Sequence, residues 1–432
     1  MAAVQTRDIL LRVGGRTLHR LGVLAAAGAG RGYVEVKETF TRAAVRRFRD
    51  RDGIGKKAAA DKVAIEYPGE LSGLVDQFGY PYGGPVLNGA RTQLVTDPEN
   101  FGAWSVDGTP VLTSAQADPF AATAAYLFDD NDAAAAERVW QIVGFTADAT
   151  KALSIFMRAG TSANSMFGLF DLTAGVWRHR VNVAWSGGVP TLSTDQGTGT
   201  LFAVENWGGG WYRLSASVNA VVAANTNRFY LLPTQDIVGQ TGTAYFFGAN
   251  AWNAPFPSSY QGPGEAAGAG DSLTLPFNFG PMDLTVLARV ARPVWADASG
   301  SIPTVNVFSL GVDASFVKGL ELGGLASARQ WDATLYGNTG AFSRVLTNIA
   351  AGAEQRVSLQ AKNMGTAAPL VAMDVGTGLS AFDDGADSIS AWDNQTLYVG
   401  RHGVAGQELE SVLLDLIFAR NLHSLQEMLE IP

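Results

Sequence analysis

The side chains grouped closely enough in this sequence to suggest chemistry are carboxylates and aromatic rings. Asp129, Asp130 and Asp132 follow a strand-like YLF run, and Asp383, Asp384 and Asp387 share a polar loop. Hard oxygen ligands at such density can hold Ca²⁺. Neither group has EF-hand spacing, and an ordinary solvated loop is the alternative for each. Sugars stack their apolar faces on exposed rings, so Trp207, Trp211, Trp252, Tyr260 and Trp392 are candidate glycan platforms. Trp252 and Tyr260 flank a Pro-rich loop, however, and can equally pack against a neighbouring domain or a partner subunit. Trp211 begins an alternating run and reads as core. No cofactor is called for; Ca²⁺ is the one ion these residues leave room for.

Catalytic groupings are missing. The four histidines, His19, His179, His402 and His423, form no HExxH motif and no pair at metal-ligand spacing. His179 alternates with Arg178 and Arg180, which suggests a surface or edge position. There is no cysteine, so disulfides, thiolate metal sites and cysteine nucleophiles are excluded together. No GxSxG elbow, P-loop or dinucleotide fingerprint occurs. A glycosidase needs two carboxylates about 5–10 Å apart across a cleft, and no pair among the 40 acidic residues stands out. The expectation is a protein that is not an enzyme.

The elements that position these residues read as strands. Fifty glycines suit many tight turns better than helices, where each interior Gly costs about 1 kcal/mol relative to Ala. Apolar and polar residues alternate at 153–158, 178–185, 211–218, 228–232 and 243–247, the period of half-buried antiparallel strands. SGGVP, DQGTGT and WGGG provide turns between them. GPGEAAGAG, at 262–270, has a linker's composition, and strand signals resume after it through 412–419. Near the C-terminus Ser424 and Glu427 make a capping box for one short helix. Residues 1–92 show little sustained period. The first 66 residues hold 14 of the 31 Lys and Arg but only 7 of the 40 Asp and Glu. A basic head on an acidic body suits docking on an acidic surface, or pairing with the protein's own body. No apolar run approaches the roughly 18 residues that span a bilayer, and the N-terminus lacks the apolar centre of a signal peptide.

Three groups of segments carry a resemblance. They are TFTRAAVRRFRDRDGIGKKAAADKVAIEYP with GPVLNGARTQLVTDPENFGAWSV; NWGGGWYRLSASV with GTAYFFGANAWNAPFPSSYQGPG; and DSLTLPFNFGPMDLTVLARV with LYVGRHG and VLLDLIFARNLHSLQEM. In this order they resemble phage and prophage virion structural proteins of spike, fibre or tail type. In that architecture a carbohydrate-binding-module-like jelly roll precedes a concanavalin A-like or laminin G-like domain. The resemblance implies an all-β chain of two tandem antiparallel β-sandwiches behind an extended N-terminal arm. The corresponding divisions are a particle-docking arm at 1–92, a jelly roll at 93–262, a linker at 263–270 and a second sandwich at 271–432. It further implies a non-enzymatic virion component made in the host cytoplasm: a head spike or fibre, a capsid decoration protein or a tail protein. Its expected partners are other virion proteins through the arm, copies of itself, with a trimer favoured, and host cell-surface glycans, without membrane insertion. A free-standing glycan-binding adsorption module and a polysaccharide-degrading enzyme are the other classes.

Overall fold

A computed structural model of the chain describes residues 92–263 without interruption. Elsewhere it describes the strands and a few residues beside them. The capping-box helix, and Asp383, Asp384 and Asp387, lie outside the described residues.

The uninterrupted region is a sandwich of twelve strands. They are β1 (Ser105–Asp107), β2 (Val111–Gln116), β3 (Ala125–Asp130), β4 (Arg138–Ile142), β5 (Ala149–Ala159) and β6 (Asn164–Asp171), followed by β7 (Val176–Ser186), β8 (Val189–Gly197), β9 (Glu205–Asn206), β10 (Tyr212–Val221), β11 (Asn227–Leu232) and β12 (Gly242–Trp252). One sheet has the order β2-β3-β12-β5-β10-β9 and the other β8-β7-β6-β11-β4-β1, with antiparallel pairing throughout. Because side chains alternate along a strand, one phase of each sheet fills the space between them. Leu153, Ile155 and Met157 of β5 meet Phe167 and Leu169 of β6, Val181 and Val183 of β7, and Phe229 and Leu231 of β11. Phe128 and Phe246 stack at 4.5 Å within this core. Each such side chain contributes roughly 1.5–3 kcal/mol when fully buried.

The first sheet is also covered on its other face. Phe156, Phe247, Trp207 and Trp211 form a second aromatic cluster there, closed by Phe120 and Tyr260 from flanking loops. Trp211 is core, as its pattern suggests, but it belongs to this outer layer. Gly248 makes the closure feasible. Its φ of +62° suits glycine, and a Cβ there would lie 2.7 Å from the Tyr260 ring. Residues 1–92 touch this layer too, where the Gly55 amide donates to the Pro119 carbonyl beside Phe120.

A second sandwich follows from Ser272. One of its sheets runs Leu370–Asp374, Glu354–Lys362, Leu284–Ala291, Ser411–Arg420, Gly84–Leu87 and Ile65–Glu66, with Ile9–Gly14 also paired to Ser411–Arg420. The other runs Phe342–Asn348, Gln330–Tyr336, Gly319–Leu325, Val305–Leu310, Trp392–Val399, Ser272–Phe279 and Thr39–Thr41. Strands from the first 92 residues are thus built into both sheets of the C-terminal sandwich. The described secondary structure is strand apart from a single 3-10 turn, Phe101–Ala103.

Candidate ligand-binding face

On the second sheet of the first sandwich, the phase pointing away from the core mixes polar side chains with large aromatic ones. Cross-strand register arranges it in rows. Ser105, Trp140, Tyr230, Gly168 and Arg180 lie abreast across β1, β4, β11, β6 and β7. Beside them run Ile142, Arg228, Phe170 and Trp177. Trp140, Phe170 and Trp177 are half-buried and rest on buried Met166, Tyr230 and Leu232. At Gly168 a side chain has no room, since its Cβ would lie 2.3 Å from the His179 carbonyl oxygen. Trp177 and Tyr230, from the strands flanking β6, meet across that bare position at 5.3 Å. Phe170 closes on Trp177 edge-to-face at 5.3 Å, an arrangement favoured by the ring quadrupoles.

Charged groups fix these rings. Arg228 lies 3.6 Å from the Trp140 ring centroid and Arg180 4.9 Å from that of Trp177. Asp107 accepts from the Trp140 indole N–H at 3.0 Å and from the Tyr230 hydroxyl at 3.0 Å. Burial, with Asp107 close by, pushes the Tyr230 hydroxyl pKa up, so it remains a donor. Asp236, from the loop after β11, ties Arg138 to Arg180, and Arg180 also pairs with Asp195 at 2.5 Å. At the far end Asp171 is fully buried. Burial alone would raise its pKa, but hydrogen bonds from Asn225, the Ala174 amide and Arg178 hold it below the ordinary value. The result is an apolar floor with fixed polar groups along it, the usual composition of a small-ligand site.

The residues singled out from sequence lie elsewhere. Trp252 and Tyr260 are 0% and 1% exposed, and such buried rings have no free face for a sugar. Tyr260 instead closes the outer aromatic cluster, and Trp252 packs with Ala152 and Ala254. Trp392 opens its strand opposite Phe279. Asp129 and Asp130 are neighbours on β3 and therefore project from opposite faces. Asp130 is buried and accepts from Thr234 at 2.5 Å, while Asp132 accepts its own turn's Ala134 amide at 2.8 Å. Burial raises the pKa of Asp130, with Glu137 adding repulsion against the help of Thr234. Among the described residues no group of three or more His, Cys, Asp or Glu is placed to hold a metal ion.

His179 also departs from expectation, being 1% exposed. A residue between two outward-facing arginines points inward by the period of 2, and Val181 and Val183 share its phase. Its Nδ1 contacts the Ser217 carbonyl, which only accepts, so Nδ1 carries the proton and Nε2 accepts from the Thr194 hydroxyl at 3.0 Å. Burial drives its pKa below 6.5, against the pull of the Ser217 bond. Between that lowered value and 6.5 the unfolded chain binds more protons, so stability falls as pH drops through this window. Thermal melts from pH 7.5 to 4.5 should show this loss, and His179→Gln should flatten that part of the profile. An unchanged slope in the variant would assign the pH dependence to other groups.

No protein-family model matches the sequence, and no curated protein matches it. Among solved structures, the chain is similar to a native heptameric SAP-like pentraxin from Limulus polyphemus, with 16% identity over 33% of this chain and 66% of that one, at a TM-score of 0.23. It is also similar to the LG1-3 region of the laminin alpha2 chain, with 10% identity over 65% of this chain and 60% of that one, at a TM-score of 0.21. The chain thus spans under two thirds of either structure. The class, an all-β protein of antiparallel β-sandwiches, rests on the sheets themselves.

Proposed function

We propose that the protein is a non-enzymatic virion structural component of a phage-type particle whose first sandwich contacts host-surface glycans. The observation that carries the glycan reading is the row of half-buried rings on the outward phase of β4, β6 and β7, where a sheet facing only water would carry polar side chains. Pyranose rings offer the matching chemistry, with apolar C–H faces for Trp177 and Phe170 and hydroxyls for the fixed carboxylates and guanidinium groups. The virion setting rests on the order of the segments that resemble spike, fibre and tail proteins. On this reading the basic N-terminal region adjoins other virion proteins, and copies of the chain associate, a trimer being favoured.

Two measurements test the proposal. Purified particles probed for this chain should contain it; its absence from them overturns the virion setting. A glycan array should bind the protein, and Trp177→Ala should weaken that binding at least tenfold while the melting temperature moves by only a few degrees. A stacking contact contributes about 0.5–1.5 kcal/mol beyond its buried area, and the lost area accounts for the rest. Binding that survives this substitution places the glycan elsewhere.

A further inference from the structure

The binding face contains a cation that its neighbours leave uncompensated. Four arginines lie on or beside it. Arg138 pairs with Asp236, Arg178 with Asp171, and Arg180 with Asp195 and Asp236. Arg228 has no carboxylate within ion-pair distance among the described residues. Its Nη1 donates to the Tyr230 hydroxyl at 3.1 Å, and its Nε is buried without a partner among the described residues. A buried N–H left unsatisfied is destabilising, the more so on a charged group. The guanidinium is nonetheless held in place by the Trp140 ring, 3.6 Å from its Cζ. Arg228 sits between Ile142 and Phe170 in the register, beside the ring row near the end of its strand.

A planar guanidinium held on an aromatic face, with unused donors, matches the two-oxygen geometry of carboxylate or sulfate. The acidic groups nearby do not oppose such a ligand equally. Asp236, Asp195 and Asp171 are each matched by an arginine. Asp107 is 3.8 Å from Arg138 and is further engaged by Trp140 and Tyr230. We propose that the glycan bound on this face is acidic, and that Arg228 is the specificity-determining residue that pairs with its carboxylate or sulfate. This rests on the glycan reading above and adds the substrate class.

Calorimetry separates the two. The probes are trigalacturonate and its fully methyl-esterified form, which share ring geometry but differ in charge, together with sialyllactose and lactose, and a heparin tetrasaccharide and its desulfated, N-acetylated and carboxyl-reduced form. In at least one pair the acidic member should bind tenfold or more tightly than the neutral one, and salt should weaken the acidic member's binding. Arg228→Met should bring that ratio close to one. Arg228→Lys, which keeps the charge but loses the planar fork, should leave an intermediate ratio and serves if the Met variant folds poorly. Neutral members binding as tightly as acidic ones overturn the acidic assignment and leave the glycan reading in place. A preference for the acidic member that persists undiminished in both variants removes Arg228 from the role. No binding by any of the six probes overturns the acidic assignment, while the glycan reading stands or falls on the array.

Discussion

A chain lacking residues 1–20 is expected to aggregate on concentration rather than yield a smaller folded protein. Ile9–Gly14 pairs antiparallel with the C-terminal strand Ser411–Arg420, from Ile9 opposite Ala419 to Gly14 opposite Asp415. On its other side that strand is paired with Leu284–Ala291, and Gly84–Leu87 reaches only its first two residues. Removing Ile9–Gly14 therefore opens most of one edge of the segment VLLDLIFA, which contains one charge and no proline. An apolar edge of that composition is a template for pairing with other chains. Size exclusion with light scattering at micromolar concentration should show most of the truncated protein in large assemblies. A synthetic peptide of residues 5–18 added during refolding should recover part of the monodisperse fraction. A truncated chain that stays monodisperse and keeps the full-length melting temperature would show that this strand is dispensable.

Replacing Tyr260 with alanine should cost about 3–5 kcal/mol, as for other large buried aromatic side chains, and lower Tm on the order of 10 °C. The ring lies 5.2 Å from Phe156, 5.6 Å from Phe247 and 5.9 Å from Phe120, and its hydroxyl donates to Glu99 at 2.8 Å. Tyr260→Phe keeps the ring, removes the hydroxyl that donates to Glu99 and should cost about 1.5–3 kcal/mol. Glycan binding by either variant, measured below its melting range, should match the parent, since Tyr260 is in the layer over the other sheet. Lost binding at unchanged Tm would instead return this ring to the role of a sugar platform.

These residues also show how much could be read from sequence. Alternation marked 178–185 and 228–232 as strands because one of their faces fills the core and the spacing of side chains is fixed. It could not show that the polar phase of 153–158 is itself covered, because the covering rings, Phe120 and Tyr260, come from loops far away in the chain. The aspartates at 129, 130 and 132 looked like a ligand set as letters; in a strand, adjacency separates 129 from 130. Trp252 and Tyr260 were conspicuous for standing beside prolines, and those prolines belong to the loop that packs them against the sheet. The binding face was partly legible. Arg228 with Tyr230 put a guanidinium and a ring on the phase opposite Phe229 and Leu231, where solvent-facing polar residues belong, whereas Trp177, three residues before Arg180, joins that face only through a bulge in the pairing with β6. That Trp140 and Phe170 join them depends on the strand order β7-β6-β11-β4, which no local pattern encodes.

The pairing of Ile9–Gly14 with Ser411–Arg420 also sets a timetable. At about 5–20 residues per second, a ribosome completes the second strand roughly 20–80 s after the first. Throughout that interval the early strand lacks its C-terminal partner, while the strands of the first sandwich are all synthesised within it. Synthesis therefore imposes an order in which the first sandwich can close first and the C-terminal one is completed last, when its final strand meets a segment made long before it. Nascent chains stalled before residue 411 should accordingly contain a protease-resistant first sandwich while their N-terminal strand remains open to protease.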